Sequence, residues 1–114
     1  MHELSIVSRM LEQVDREIRN HRGARVRRVK VRIGAASGVE AELFEHAFVQ
    51  LRSGACETAE LEVNRVPSCW RCSACQREFG SGDALFCECC GLPCVLVSGA
   101  ELMLDRIELE LSHV

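Results

Sequence analysis

The first part of the chain shows two periodicities of apolar side chains. Between residues 4 and 18 they recur at spacings of three and four, which predicts an amphipathic helix that ends around His21 to Gly23. From residue 26 the spacing becomes two, and this alternation predicts a half-buried strand that runs to Gly34. The apolar positions are Leu4, Val7, Leu11, Val14 and Ile18 in the helix, and Val29, Val31 and Ile33 in the strand.

A second helix and a second strand follow the loop GAASG. Helical spacing of Leu43, Phe44, Ala47, Phe48 and Leu51 predicts a helix. This helix begins near Glu40 and ends at the Ser-Gly pair at residues 53–54. Apolar and polar residues alternate again at residues 61–66, which predicts a strand that Pro67 closes.

A third strand is predicted in the segment LMLDRIELEL, residues 102–111. Its alternation changes phase near Asp105 and Arg106, which predicts a β-bulge or a twist at that point. The outer face of the first strand is basic and the outer faces of the other two are acidic, so opposite charges can pair across the strands. The acidic positions are Glu60, Glu62, Glu108 and Glu110.

These elements predict an α+β fold, with a small three-stranded sheet covered on one face by two helices. Residues 1–66 and 99–114 form this α/β domain, and residues 67–98 form an inserted module between the second and third strands. The two ends of the insertion must therefore lie near each other at one edge of the sheet.

Composition limits the size of the protein and suggests its compartment. The 114 residues make one ordinary domain with at most a small additional module, and the net charge is −3. Residues 1–22 contain no apolar run long enough for a signal peptide or a membrane span, which predicts a cytoplasmic protein. Of eight cysteines, seven lie between Cys69 and Cys94. Because the cytosol keeps thiols reduced, this cluster indicates metal or redox chemistry rather than disulfides.

Pairs of cysteines with CxxC spacing occur twice within the inserted module, in SCWRCSACQREF and in FCECCG. Two such turns facing each other build a tetrahedral thiolate site for zinc. The module has too few apolar residues to fold on its own, so a metal would supply the missing stability. Structural zinc is favoured over redox thiols and over an iron–sulfur centre.

The choice of four ligands is ambiguous, because both Cys69/Cys72 and Cys72/Cys75 have the CxxC spacing. Phe79 after Cys75, and Gly91 after Cys90, favour the second pair, since a glycine at that turn position lets backbone amides point at sulfur. The remaining thiols are spare, with Cys69 as the leading substitute ligand and Cys56 as a small buried hydrophobe. The predicted zinc ligands are Cys72, Cys75, Cys87 and Cys90, and the spare thiols are Cys69, Cys89 and Cys94.

The N-terminus is a second candidate metal site. The α-amine of Met1, with the amide nitrogen and Nδ1 of His2, can close two fused chelate rings, and the Glu3 amide would complete a planar set of nitrogens. Ni(II) and Cu(II) prefer this geometry. Such a site releases protons on loading, which suits delivery better than storage. Glu40 is a candidate outer ligand, or simply a carboxylate that complements the helix dipole.

The other histidines, His21, His46 and His113, are predicted to be structural or exposed to solvent.

Several stretches together resemble the HypA/HybF family of hydrogenase maturation proteins. They are MHE at the start, the strand end within RVRRVKVRIGAASGVE, the ELF that follows, and the late paired CxxC motifs. The resemblance runs essentially from end to end. One departure is that Glu88 stands where the family's second motif often has proline, and Cys89 adds a thiol beside Cys90.

The resemblance implies a nickel metallochaperone with a structural zinc site and no enzymatic activity of its own. Nickel would bind at His2 and the backbone around Glu3, with Glu40 as the matching acidic residue. The implied partners are a HypB-type GTPase and the large subunit of a [NiFe]-hydrogenase. A homodimer is a further option, and no nucleic acid or membrane is expected.

Two other functions compete with nickel delivery. Seven of the 14 Lys and Arg residues lie between Arg19 and Arg32, and this basic segment together with a four-thiolate module is typical of a zinc-ribbon nucleic-acid binder. The aromatic content of only 4% and the alternation of these cations along a strand weaken that interpretation. A protein adaptor with an inert N-terminus is the other alternative. No catalytic triad, activated nucleophile or phosphate-binding loop is present in the sequence.

Overall fold

The computed structural model describes residues 2–80, 86–87 and 90–111. Its two helices are α1 (His2–Glu17) and α2 (Ala41–Leu51), and a short 3-10 turn covers Gly54–Cys56. The strands are β1 (Arg25–Gly34), β2 (Glu60–Val66), β3 (Cys69–Cys72), β4 (Glu78–Phe79), β5 (Cys94–Ser98) and β6 (Leu102–Glu110).

The strands form two separate three-stranded sheets. In the first, β1 is central, parallel to β2 and antiparallel to β6. In the second, β3 is central and antiparallel to both β4 and β5. The first sheet and its two helices confirm the predicted α+β fold with a zinc-ribbon-like insertion. The sequence pattern had not indicated the strands within the cysteine segment.

The hydrophobic core lies between the first sheet and the two helices. Most of the apolar positions that periodicity predicted face this core, but Leu43 and Leu51 of α2 are exposed, and Met10 of α1, which was not predicted, is buried. Burial of a large apolar side chain stabilises the fold by about 1.5–3 kcal/mol. The core side chains are Val7, Met10 and Val14 of α1, Val26, Val29, Val31 and Ile33 of β1, Phe44, Ala47 and Phe48 of α2, and Cys56 and Ala59.

The first helix ends earlier than its sequence predicted, at Glu17 rather than around His21 to Gly23. The amide of Ile18 still bonds to the carbonyl of Val14 at 3.1 Å, but the His21 amide bonds to Ile18, three residues back. This tightening of the last turn satisfies carbonyls that an α-helix leaves without partners. Gly23, at φ +77°, then turns the chain into β1.

The predicted bulge in β6 is confirmed. Lys30 pairs with Arg106, but Val31 pairs with Leu104, so Asp105 has no partner opposite it on β1. Its carboxylate instead accepts a hydrogen bond from Arg32 Nη2 at 3.0 Å. The extra residue changes which face of β6 points to the core, and this explains the phase change in the sequence.

Opposite charges pair across the outer face of the first sheet, as predicted. Arg28 lies 3.5–3.9 Å from carboxylate oxygens of Glu60, Glu62 and Glu108, and Lys30 lies 3.6–3.9 Å from those of Glu62 and Glu108. Because these pairs are partly exposed, each contributes at most about 1 kcal/mol. Their main effect is to neutralise the basic strand.

Both ends of the inserted segment meet the end of β1. The amide of Ala35 donates to the carbonyl of Val66, and the amide of Ala36 donates to the carbonyl of Gly99, both at 2.8 Å. The amide of Gly34 donates to the carbonyl of Glu101 at 2.7 Å. The last residue of β1 and the two residues that follow it therefore hold the chain just before the insertion and just after it.

Two glycines make this close approach possible. A Cβ on Gly34 would overlap the carbonyl of Gly99. A Cβ on Gly99 would lie 2.5 Å from Ser68 Cα and 2.7 Å from the Pro67 oxygen, and Gly99 has a φ of +98°. Both space and backbone conformation therefore require glycine at position 99.

We expect Gly99→Ala to lower the free energy of unfolding by about 2–4 kcal/mol, because it adds both a steric overlap and backbone strain. Urea denaturation followed by the fluorescence of the single tryptophan, Trp70, would measure the change. Gly80→Ala is the matched control, since nothing lies within 4 Å of its added Cβ. It should change stability by less than about 0.5 kcal/mol. Equal effects of the two substitutions would contradict this account of the junction.

Candidate metal centres

Two turns in the inserted segment have the same backbone hydrogen-bond pattern. In the first, the amide of Cys72 donates to the carbonyl of Arg77 and its carbonyl accepts from the amide of Gln76. In the second, the amide of Cys87 donates to Leu92, and its carbonyl accepts from Gly91. The fifth residue of each turn has a positive φ, +62° at Gln76 and +73° at Gly91. The left-handed conformation predicted at Gly91 is confirmed, and Gln76 adopts it without being glycine.

These turns bring together the four thiols selected by CxxC spacing. The ligand atoms of Cys72, Cys75, Cys87 and Cys90 all lie within 4.8 Å of one another. The closest sulfurs belong to different turns, with Cys72 and Cys90 3.4 Å apart and Cys75 and Cys87 3.6 Å apart. Cys72 and Cys87 are buried, whereas Cys75 and Cys90 are exposed. Four sulfurs at these separations surround a space that suits a tetrahedral Zn(II) ion.

Backbone amides stabilise a negative charge on Cys72. Hydrogen bonds from the backbone of Cys75 and Ala74 lower the pKa of the Cys72 thiol to about 6. The backbone of Leu92 lowers the pKa of Cys90, but the neighbouring Cys72 sulfur and desolvation outweigh it and raise that pKa to about 12. The backbone therefore favours the thiolate form of Cys72, and a bound cation would displace protons from the neighbouring thiols.

The remaining cysteines occupy different environments. Cys56 is buried in the core of the α/β domain, in agreement with its predicted role. Cys69 is paired with Ser98 in the β-ladder, and its sulfur lies 3.9 Å from a carboxylate oxygen of Glu78 rather than within the four-thiol set. Cys94 is paired with Cys72 in the ladder between β3 and β5. Cys89 lies outside the described residues.

The structure therefore brings Cys94, and not the expected Cys69, to the edge of the cluster. Cys69 and Cys72 are three residues apart on one strand, so their side chains point to opposite faces. Residues directly opposite each other on antiparallel strands share a face, and this places Cys94 beside Cys72. The register of β3 against β5 is what places Cys94 beside the four thiols, and the CxxC spacing gives no information about that register.

The predicted nickel residues lie at the starts of the two helices. His2 and Glu3 are in the first turn of α1, with His2 exposed and Glu3 half-buried, while Met1 lies outside the described residues. Glu40 is the exposed residue that precedes α2, and its side chain makes no capping hydrogen bond. The carboxylate is therefore not used to close the helix end.

Both helix starts lie at the same end of the first sheet. The helix α2 joins two parallel strands, so it begins at the Gly34 end of β1. A short turn joins α1 to β1, so α1 also begins at that end. Among the described residues, however, the four cysteines are the only set of three or more His, Cys, Asp and Glu side chains within ligand distance of one another.

Three of the five cations of β1 are engaged in ion pairs within the sheet. Arg28, Lys30 and Arg32 all have carboxylate partners within 3.9 Å. Phosphate groups would have to displace these pairs, which removes much of the electrostatic gain that drives non-specific binding. His21 and His46 are exposed, in line with their predicted minor roles, and His113 lies outside the described residues. No helix among the described residues is long and apolar enough to cross a membrane.

An α+β domain that carries an inserted four-cysteine module defines a small metal-binding protein. Comparison with known proteins identifies the family within this class. The family described as "HypA: Hydrogenase/urease nickel incorporation, metallochaperone, hypA" matches residues 1–109. The chain therefore belongs to the HypA family of nickel-incorporation metallochaperones. This family description names metal incorporation rather than a catalysed reaction.

Relatives and solved structures agree with this assignment. A hydrogenase maturation factor HypA of Nitrosospira multiformis is 40% identical over 113 residues, covering 96% of this chain and 97% of the relative. One from Wolinella succinogenes is 36% identical, with 96% of each chain covered. The solution structure of the Ni metallochaperone HypA from Helicobacter pylori has a TM-score of 0.67 at 26% identity, covering 96% of this chain and 98% of that one. Another HypA solution structure has a TM-score of 0.71 at 28% identity, with 98% of each covered.

We expect Cys72→Ala to weaken zinc binding by at least about a hundredfold, because Cys72 is a buried member of the thiol set. Competition with a chromogenic chelator would measure the affinity. Cys69→Ala is the matched control and should bind zinc as the unchanged protein does. A normal affinity in the Cys72 variant, or a lost one in the Cys69 variant, would show that the ligand set is wrong.

Proposed function

We propose that this protein binds Ni(II) through nitrogens of its N-terminus and delivers it to the large subunit of a [NiFe]-hydrogenase. The observation that carries the proposal is the position of His2 and Glu3 in the first turn of α1. Membership of a nickel-incorporation family and the names of the relatives, hydrogenase maturation factors, support the same function.

A helix start provides amide nitrogens that need no other partner. The first four N–H groups of an α-helix have no carbonyl acceptor within the helix. The amides of His2 and Glu3 belong to this group because α1 begins at His2. Nickel can therefore replace their protons without breaking a helical hydrogen bond. The α-amine of Met1 and Nδ1 of His2 would complete a square-planar set of four nitrogens.

The charge of this site suits its location. Two deprotonated amides balance the two positive charges of Ni(II), and the amine and imidazole ligands are neutral. The complex is then neutral overall, so it avoids repulsion from the positive end of the helix dipole. Loading must release protons, so we expect nickel affinity to fall as the pH is lowered.

Glu40 is proposed as an outer ligand or hydrogen-bond acceptor for the nickel site. It lies at the start of α2, at the same end of the sheet as His2, and its carboxylate does not cap the helix. An exposed carboxylate without a capping role can approach a metal on the neighbouring helix start. Its position also leaves the loaded metal accessible to a recipient protein.

We propose that Cys72, Cys75, Cys87 and Cys90 hold a structural zinc ion. In this division, residues 67–98 form the zinc module and residues 1–66 with 99–114 form the nickel-binding domain. Zinc would fix both turns and favour the thiolate forms of its ligands. Reduced thiols of this kind persist in a reducing compartment, so we propose that the protein works in the cytoplasm.

GTP hydrolysis that accompanies delivery must come from a partner. The sequence contains no G-x-x-x-x-G-K-[ST] motif, which is the phosphate-binding loop of such enzymes. We therefore propose a HypB-type GTPase as the partner that regulates nickel transfer.

Untagged protein should bind one equivalent of nickel, and His2→Ala should weaken this binding by about a hundredfold or more, because it removes the imidazole from the chelate. Isothermal titration of the zinc-loaded protein would measure both affinities. His21→Ala is the matched control, since His21 is exposed beyond the opposite end of α1.

A second variant tests the role of the terminal amine. One added residue before Met1 should weaken nickel binding as strongly as His2→Ala does, because it converts the amine into an amide. Unchanged affinity in both variants would rule out the N-terminal site.

A further inference from the structure

We propose that Cys94 is a reserve zinc ligand that takes the place of Cys90 when that exposed thiolate is lost. This inference rests on the proposed zinc site. It assigns to a fifth thiol a role that the spacing of the other four does not require.

The first support is the position of Cys94 in the β-ladder. It lies directly opposite Cys72 in the antiparallel pair β3–β5. Cβ atoms of such directly opposed residues are about 4.5–5.5 Å apart on the same face of a sheet. The Cys94 side chain therefore lies on the same face as that of Cys72, towards the four thiols.

The second support is that Cys90 and Cys94 flank the same sulfur. The Cys90 sulfur lies 3.4 Å from that of Cys72, and Cys94 lies opposite Cys72 in the β-ladder. A metal bound to Cys72 is therefore near both. Rotation of the Cys94 side chain can bring its sulfur towards the position that Cys90 leaves.

The backbone around Cys94 is already fixed for this role. Ser73 Oγ, next to Cys72, donates to the carbonyl of Pro93 at 3.4 Å, and Phe86 and Pro93 form a β-bridge. These contacts tie the residue before Cys94 to both cysteine turns. The substitute ligand therefore needs no rearrangement of the main chain, which is what keeps an exchange of ligands local.

The exchange is balanced without any oxidant. When a maleimide alkylates Cys90, a C–S bond forms to its sulfur, the Zn–S bond to Cys90 breaks and a Zn–S bond to Cys94 forms. The proton that leaves the Cys94 thiol is taken up, through water, by the other carbon of the former maleimide double bond. The ion keeps four thiolates, and the charge of the site does not change. Because Zn(II) has a filled d shell, tetrahedral coordination can pass from one sulfur to another without a ligand-field penalty.

The burial of the ligands explains why Cys90 is the one replaced. Cys72 and Cys87 are buried, but Cys90 is exposed and open to alkylation. Cys75 is also exposed, but its sulfur lies 3.6 Å from that of Cys87, whereas the Cys90 sulfur lies 3.4 Å from that of Cys72, the residue opposite Cys94. Cys94 therefore protects the site against loss of one particular ligand.

The test is cobalt substitution in three variants of the full chain. In Cys90→Ala the intensity of the sulfur-to-cobalt charge-transfer band should equal that of the unchanged protein, because four thiolates remain. In the double variant Cys90→Ala/Cys94→Ala it should fall to about three quarters, and zinc should bind at least about tenfold more weakly than in Cys90→Ala. The matched control, Cys90→Ala/Cys69→Ala, should behave like Cys90→Ala.

A three-thiolate spectrum in Cys90→Ala, or loss of its zinc, overturns the inference, as does a four-thiolate spectrum in the variant that lacks Cys94. Fewer than four thiolates in the unchanged protein would instead refute the proposed zinc site itself.

A second measurement needs no substitution. Zinc-loaded protein treated with limiting N-ethylmaleimide should yield molecules labelled only at Cys90 that retain zinc in native mass spectrometry. Loss of zinc from those molecules also overturns the inference.

Discussion

The thiol cluster is the constraint on which the inserted module depends. Among the described residues of 67–98, the buried side chains are Ser68, Cys72 and Cys87, so the module has no hydrophobic core of its own. Two short β-pairings and a few turns cannot offset the conformational entropy of ordering such a segment. The proposed zinc ion replaces the missing core, because binding energy that needs the folded arrangement is folding energy.

The α/β domain is stabilised by a hydrophobic core, and it carries the residues of the proposed nickel site. Its core is apolar and continuous, and its helices begin at the end of the sheet where the inserted module is attached. The contact between Gly34 and Gly99 joins the two parts at that same end. The two proposed metal sites therefore lie on different elements. The nickel site uses nitrogen ligands at a helix start, and the zinc site uses sulfur ligands in two turns. Both are linked to the residues that follow β1.

Sequence periodicity predicted the α/β domain well because each element buries one face. The alternation in β1 and the phase change near Asp105 correspond to the observed register and bulge. Local hydrogen bonding at Ile18 and His21, which periodicity does not register, shortened α1. In the module, the CxxC spacing was enough to select four thiols that the fold brings together. It was not enough to predict which of the remaining thiols lies nearest to them. The position of Cys94 follows from the pairing of β3 with β5, a long-range contact that leaves no local pattern in the sequence.

The central claim is that nickel binds to nitrogens of the N-terminus while zinc binds only to sulfur. X-ray absorption spectroscopy at both metal edges, on native-ended protein loaded with one equivalent of each metal, tests it most directly. The account predicts a nickel edge with nitrogen or oxygen ligands, including imidazole, and no sulfur, together with a zinc edge of four sulfurs. Sulfur ligands on nickel, with no imidazole contribution, would contradict the account.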